Sequence, residues 1–452
     1  MQLHLFFEDP HEEVLRRNFQ NSELGRLYLT IPFRELAAQF GPNVRRKAQG
    51  VKAIFSIEGG LGLMFLKHYS GLSDAKLIEQ LNTNWHYQMF CGLVPKVAYG
   101  IKDKDIVGRW RRFFGLRLDI ASMQKPLATA WKEDLSQKNV SMQDATVYES
   151  YIKFPTDVKL LWDCVEWVRA QITSLCARHR LPVPRSKYKE QRIKQLSFSK
   201  QRKKTHKQER RRRAALLYLL AKVLRQLQSI LNLGASVVEG INPRVFERLR
   251  DVRCILQQQR YHYEQPEKPV PNRIVSLYKP YLRPIVRGKE NKPVEFGAKV
   301  NQLQVGGCNF IEHLDFEAFH EGNRLNKGIM QHRQWFGPVR QVAADGIYAT
   351  NRNRRWCHEQ QIATSFKPKG RQGKNKEQKK ALRDALSVIR GTIMEGSFGN
   401  EKNHYLLRKV KARTKETEIA WIFFGVHTAN AVKIAKTRYS EAQLQKKAQM
   451  VA

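Results

Sequence analysis

The sequence predicts a mixed α/β core preceded by a helical domain and interrupted by a basic helical module. Three observations carry that expectation. Runs rich in β-branched and aromatic residues appear at 140–154, 272–318 and 339–344, while helical periodicity fills most of the chain between them. At 452 residues the chain exceeds what one hydrophobic core usually supports, so two or three domains are expected. Residues 185–213 hold 14 Lys or Arg against only Glu190 and Glu209, a composition unlike that of their flanks.

Taken in order, residues 1–135 read as helices. Thr30 suits a cap for a helix with Pro32 in its first turn, and a second helix runs from Ile57 to about Tyr69. Gly71 then fits a C-cap, and Ser73 with Asp74 opens AKLIEQL. Helix, glycine turn and helix give the outline of a DNA-reading helix-turn-helix, an outline that many plain helical hairpins share. Near 103–114, Arg109, Arg111 and Arg112 beside Trp110 and Phe113 offer either a phosphate-binding face or a solvated one.

VSMQDATVYESYIKF then reads as one or two strands, and Pro155-Thr156-Asp157 opens a helix with Leu160, Leu161, Cys164, Val168 and Ile172 on its buried side. The basic run leads into the apolar helix AALLYLLAKVLRQLQSIL, and Asn242-Pro243 opens another. Strands are expected at RIVSLY, PIVRGK, VEFGAKVNQLQV, NFIEHLDF and VRQVAA, with helices near 323–336, at NRNRRWCHEQQI, from about Ala381 through Glu395, and over 418–436. KPKGRQGKNKEQKK reads as a basic loop. The implied domains are 1–135 (helical, DNA-binding), 136–165 with 265–436 (the α/β core), 166–264 (the basic insertion) and a tail over 437–452.

Composition restricts the function. Lys and Arg number 81 against 41 Asp and Glu, a formal +40, and such an excess implies a polyanionic partner, most economically nucleic acid. A hydrophobic fraction of 42% excludes wholesale disorder. No run reaches the ~18 uninterrupted apolar residues of a membrane span, and MQLHLFFEDPHEE lacks the basic start of a signal peptide. The six cysteines contain no CxxC, so a reducing cytosol is expected rather than a disulfide scaffold or structural zinc. The basic run, with Lys203, Lys204, Arg210, Arg211, Arg212 and Arg213 at its centre, reads as an arm for a nucleic-acid backbone; a merely solvated run is the alternative.

Three carboxylates stand out by context. Asp144 lies in the first strand of the core, Asp345 closes a later apolar strand just before Gly346, and Glu395 lies on a late helix. Carboxylates suit Mg²⁺, and two such ions can activate the attacking oxygen and stabilise the leaving one in phosphodiester chemistry. Spacing alone does not select these three from the other acids. Lys402 follows Glu395 by seven residues, two helical turns or about 10 Å along the axis, on nearly the same face. Glu401 falls about 100° away and is expected to tolerate Ala. Gly396 and Gly399 fit either a close approach of backbone to DNA or sheet, or a frayed helix end.

At these residues the sequence resembles the DDE transposases of bacterial insertion sequences, in the group named for insertion sequences four and five. SIEGGLGLMFLKHYSGLSDAKLIEQLNTNWHYQMFCGL is similar to their N-terminal helical domain, and DATVYESYIKFPTDVKLL to the segment bearing the first catalytic Asp, here Asp144. VRQVAADGIYATNRNR places the second at Asp345, and IMEGSFGNEKNHYLLRKVKAR places the third at Glu395, with Lys402 matching the Lys of E-x6-K. The resemblance implies an RNase H-like catalytic domain and two-metal DNA cleavage and strand transfer with Mg²⁺ or Mn²⁺. It further implies a DNA-contacting Lys402, double-stranded element ends and target as substrates, and a homodimer on paired ends. A cytoplasmic, nucleoid-associated location follows, with no membrane partner. One departure concerns the family's Y-x2-R-x3-E pattern, whose tyrosine and arginine would fall at positions 388 and 391. The chain has Val388 and Gly391 there, and Arg390, one position early, would face another side of a regular helix. The rival readings are an RNase H-like nuclease or resolvase without strand transfer, a non-catalytic DNA-binding relic, and, lacking RNP or zinc-finger signatures, an RNA-binding protein.

Overall fold

Strand β1 (Val140–Glu149) is paired along both edges, and its residues are buried on both faces with breaks only at Asp144 and Glu149. The computed structural model describes residues 10–41, 54–96, 98–286, 293–370 and 375–451. It divides into two compact units, 1–151 with 297–452, and 152–296. The divisions fall at 151/152 and 296/297, rather than at the boundaries near 165 and 264 drawn from the sequence.

Among the described residues, the first unit opens with the helices α1 (Pro10–Asn21), α2 (Glu23–Thr30), α3 (Phe33–Ala38), α4 (Ile57–Ser70), α5 (Asp74–Thr83), α6 (Trp85–Phe90), α7 (Ile106–Gly115) and α8 (Ile120–Trp131). Ser56 caps α4, and Gly71 ends it at φ 67°, a left-handed position suited to glycine. Residues 59–68 of α4 are buried all round. The α4–α5 pair is therefore centred on a core helix, and the outer side of α5 shows Lys76 and Glu79 rather than a row of cations.

In the second unit, α9 (Asp157–Arg178) is capped by Thr156 and followed by α10 (Tyr188–Lys200), α11 (His206–Leu231), α12 (Ala235–Val238) and α13 (Pro243–Glu264). A capping box of Thr205 and Gln208 starts α11. By length and composition α11 could cross a membrane, yet Leu216, Leu220, Val223 and Leu227 are buried in one cluster with Leu161, Val165 and Val168 of α9 and Val252 and Ile255 of α13. RIVSLY forms no strand. Its Ile274 and Leu277 join that same cluster, so burial against helices replaces pairing. Strand β2 (Pro284–Val286) covers the start of PIVRGK; residues 287–289 of that expected strand, and 371–374 of the expected basic loop, lie outside the described residues.

Strand β3 (Val294–Val305) pairs antiparallel with β2 through residues 294–296 and with β1 from Gly297 onward. A Cβ on Gly297 would lie 2.1 Å from the Tyr148 carbonyl oxygen, so that crossing requires glycine. Strand β4 (Cys308–Asp315) pairs antiparallel with β3, with an irregularity at Asn301/Gln302. Then come α14 (Leu325–Phe336), β5 (Gln341–Ala344) parallel to β1, α15 (Asn351–Glu359), and the short β6 (Ala363–Thr364), parallel to β5 and absent from the sequence reading. Helix α16 (Lys376–Ile389) passes through a π-helical turn, Arg390–Met394, into α17 (Glu395–His404), and α18 (Lys415–Val451) closes the chain. The unit is a mixed α/β structure, mostly helical, around a mixed curled sheet.

Candidate active site

The register of β1 against β5 brings the first two acids together. Gln143 is opposite Ala344, so Asp144 and Asp345 are the next residues along two adjacent parallel strands. Side chains alternate along a strand, which places Val140, Met142, Asp144 and Thr146 on one face, with Ala343 and Asp345 on the same face of the neighbour. That face is covered near the acids by a cluster of Val140, Met142, Ala343, Leu386, Met394 and Phe398. The cluster pins the end of α16, the π turn and α17 across the strand ends.

Asp144 accepts a hydrogen bond from its neighbour's amide, Ala145 N, at 2.8 Å and from Arg390 Nη1 at 2.7 Å. Burial pushes its carboxyl up to about 6; the Arg390 charge opposes this, and the negative charges of Glu321 and Asp345 add to it. Asp345 is exposed and accepts from Gly346 N at 2.6 Å, at the start of a single 3-10 turn. Glu395, 61% exposed in its side chain, lies with Oε1 3.6 Å from the same Arg390 Nη1. One guanidinium nitrogen therefore reaches two of the three carboxylates.

Arg390 corrects an expectation. On a regular helix, five residues subtend about 500°, which would turn Arg390 well away from Glu395. The π turn closes i→i+5 instead, so the one-residue offset from the R-x3-E spacing is absorbed: Arg390 reaches Asp144 on the sheet and still lies 3.6 Å from Glu395. Nothing in an α-helical reading of the sequence signals that turn.

Lys402 reaches the same strand, donating from Nζ to Thr146 Oγ1 at 2.8 Å and lying 5.8 Å from the centre of the Tyr148 ring. Thr146 is two residues beyond Asp144, about 7 Å along β1. Glu401 behaves differently from expectation. It is fully buried, accepts from Tyr148 Oη and from Asn309 Nδ2 at 2.6 Å, and joins a network in which Gln302 donates to Tyr148 Oη at 2.6 Å and Asn309 donates to Ser397 Oγ at 2.9 Å. Burial pushes Glu401 up to about 7, against those hydrogen bonds. It fastens α17 to β1 and β4 and is no surface residue that Ala can replace. Its partners are remote in sequence, so only a three-dimensional structure shows it.

The expected DNA contacts divide. Arg109 and Arg112 are exposed, Arg109 pairing with Asp103. Arg111 is not available: it forks onto both Asp74 oxygens at 3.1 Å and stacks 4.6 Å over Trp421, holding α7 to α5 and α18. In the second unit Lys203, Lys204, Arg210 and Arg211 are exposed, Arg210 lying 5.1 Å from the Tyr263 ring. Arg212 is buried, donating to Gln195 at 2.8 Å and to Gln191 at 2.6 and 2.8 Å, and Arg213 lies 3.3 Å from Asp157. Consecutive helical residues point about 100° apart, so four adjacent arginines cannot all face one ligand.

The donor set is all carboxylate oxygen, which fits a hard divalent cation better than zinc or copper. Among the described residues, no three His, Cys, Asp or Glu side chains converge as a metal cluster. A single cation, the Arg390 guanidinium, nevertheless reaches both Asp144 and Glu395.

Residues 342–429 match the family described as the transposase DDE domain, and residues 12–119 match the one described as a transposase domain, DUF772. Both matched domains are transposase domains. The DDE match includes Asp345, Glu395 and Lys402 and begins after Asp144. A DDE domain implies an RNase H-like core, phosphoryl transfer, divalent-metal use and DNA binding. The chain is also 32% identical over 143 residues to an uncharacterized protein, ORF8 in the nfe locus of Rhizobium meliloti, covering 30% of this chain and 66% of that protein, slightly under two thirds of its length. No solved structure matches.

Proposed function

We propose that this protein is a transposase that binds the terminal inverted repeats of its own insertion sequence, cuts at the ends and joins the freed 3′-hydroxyl to target DNA. The observation that carries the reading is the register of β1 on β5, which sets Asp144 beside Asp345 on one face, with Glu395 drawn to that face through Arg390. The mixed sheet with the first acid on its doubly paired strand and the second on the adjoining parallel strand supports an RNase H-like core. Asp144, Asp345 and Glu395 would hold two Mg²⁺ or Mn²⁺ ions. When bound, these would activate the attacking oxygen and stabilise the leaving one.

The chain's own residues supply the positioning. Arg390 holds Asp144 and orients Glu395 before DNA arrives, and its positive charge then stands beside the scissile phosphate. Lys402, about 7 Å along β1 from Asp144, contacts the DNA backbone next to the cut. Water attacks phosphorus first, breaking the bond to the 3′-oxygen, which leaves with a proton as a 3′-hydroxyl. That hydroxyl then attacks a target phosphodiester, losing its proton and expelling the target's own 3′-oxygen. The two ends are handled by a homodimer, in the cytoplasm at the nucleoid.

The test is a strand-joining assay on a pre-cut duplex bearing the element end and a free 3′-OH. Joined product supports the transposase; hydrolysis alone in Mg²⁺ and Mn²⁺ would favour a nuclease or resolvase.

A further inference from the structure

Helix α11 has a side that neither the hydrophobic core nor the arginine run accounts for. Its inward side is fixed by Leu216, Leu219, Leu220, Val223, Leu227 and Ile230, all buried, and by Arg212 and Arg213, which are committed to Gln191, Gln195 and Asp157. At 100° per residue, Lys207, Arg211, Tyr218, Lys222 and Arg225 fall within about 60° of one another on the opposite side. From first to last they cover about 27 Å of helix.

Three features of this face point to a polyanion. Among the described residues none of its four cations pairs with a carboxylate. Tyr218 stands between them with 67% of its surface exposed, an aromatic ring left in water on an otherwise well-packed helix. The small side chains of Ala214, Ala215 and Ala221 flank it, so a broad, flat partner can reach the ring. The setting agrees: residues 152–296 hold 33 Lys or Arg against 12 Asp or Glu, a net +21 of the chain's +40. The arc between these five residues carries no Asn or Gln, since Gln208 and Gln226 lie beyond one edge and Gln228 beyond the other, so it lacks the paired donors and acceptors that read bases.

We infer that the outer face of α11 is a sequence-independent docking surface for the backbone of duplex DNA, with Lys207, Arg211, Lys222 and Arg225 on phosphates and Tyr218 packed against the sugar–phosphate chain. A face of about 27 Å matches about eight base pairs at ~3.4 Å per step. The surface differs from the basic run of the sequence: it shares Lys207 and Arg211, excludes Arg212 and Arg213, and extends about three turns further. The inference rests on the DNA-processing function proposed above.

The test uses the full-length chain and a labelled random-sequence duplex of about 30 base pairs, long enough to span the face several times over, with binding followed across a salt series. One variant carries Lys207→Gln, Arg211→Gln, Lys222→Gln and Arg225→Gln. Its control removes the same charge from exposed positions elsewhere in the unit, Arg180→Gln, Arg244→Gln, Arg250→Gln and Arg260→Gln. Circular dichroism and melting establish that both fold. The stripe variant should lose at least ten-fold in affinity and flatten the log–log salt slope by about 3–4, at ~0.9 per phosphate contact, while the control changes it by less than one. Tyr218→Ala should weaken binding several-fold with the slope unchanged, and Tyr218→Phe should restore it. Equal losses in stripe and control would overturn the inference, leaving only net charge. A stripe-dependent preference for duplex RNA of the same sequence would also overturn it. Loss of the stripe's effect while wild type still cuts element ends would overturn the inference and leave the proposed function standing; absence of any duplex binding by wild type would remove the function itself.

Discussion

Arg390 Nη1 lies 2.7 Å from Asp144 Oδ2, and the π turn at Arg390–Met394 is what brings it there. The residue thereby serves two carboxylates, holding Asp144 directly and reaching Glu395 at 3.6 Å. The pairing also sets how protons compete for the site. With its carboxyl raised to about 6, Asp144 is protonated below that pH and ionised above it. Mn²⁺ binding, read by electron paramagnetic resonance in the absence of DNA, should weaken as pH falls from about 7.5 through about 6. Arg390→Gln removes the charge that opposes the shift, so its midpoint should move to higher pH. A midpoint that stays put would mean the guanidinium does not act on Asp144.

Glu401 offers a stability test that separates it from Glu395. Its folded-state carboxyl, at about 7, lies above the ordinary value of 4.5, so the folded protein binds the extra proton between those values. That contribution is present below pH 4.5 and is lost as pH rises through about 7. Glu401→Gln keeps the shape without the charge, and its melting temperature should gain on wild type between about pH 5 and about pH 8. Glu401→Ala strands Tyr148 and Asn309 in the core and should cost roughly 2–5 kcal/mol. Equal melting curves for wild type and Glu401→Ala would contradict the buried network.

Adjacent arginines should fail in different ways. Arg212→Ala breaks the bonds to Gln191 and Gln195 and should lower stability by roughly 1–3 kcal/mol. The salt slope of DNA binding should not change. Arg211→Ala should leave melting alone and reduce that slope by about 0.9. Chemical denaturation and fluorescence anisotropy on the two variants decide it; the same phenotype from both would mean the run acts as an unresolved charge.

Much of this arrangement is legible in the sequence, and the exceptions have physical causes. The strands that carry Asp144 and Asp345 are legible because strands announce themselves in β-branched and aromatic residues, but picking these two from the other acids rests on the family resemblance. RIVSLY shows the limit of that signal: its apolar residues bury against helices, and composition does not state the partner. Periodicity misplaces Arg390 because it assumes about 3.6 residues per turn, and one π turn changes the phase of everything beyond it. A charge run offers Arg111, Arg212 and Arg213 as DNA contacts because it does not show which side of its helix is inward. Asp74, Asp157 and Gln195, all distant in sequence, decide that.

Lys402→Ala tests positioning apart from docking. The protein should fold and bind end DNA within a few-fold of wild type, yet cleave on the order of 10²-fold more slowly, because small misplacements at phosphorus carry large rate costs. Single-turnover cleavage with binding measured in parallel checks this; unimpaired cleavage would make Lys402 a structural residue rather than a positioning one.

The proposed function requires Asp144, Asp345 and Glu395 to act as one metal-holding set. Its most direct measurement is Mg²⁺-dependent cleavage of duplex DNA carrying the element's own ends by Asp144→Asn, Asp345→Asn and Glu395→Gln, with end binding followed on the same samples. Cleavage should vanish in all three while binding stays near wild type. Full cleavage by any one of them would remove that residue from the set.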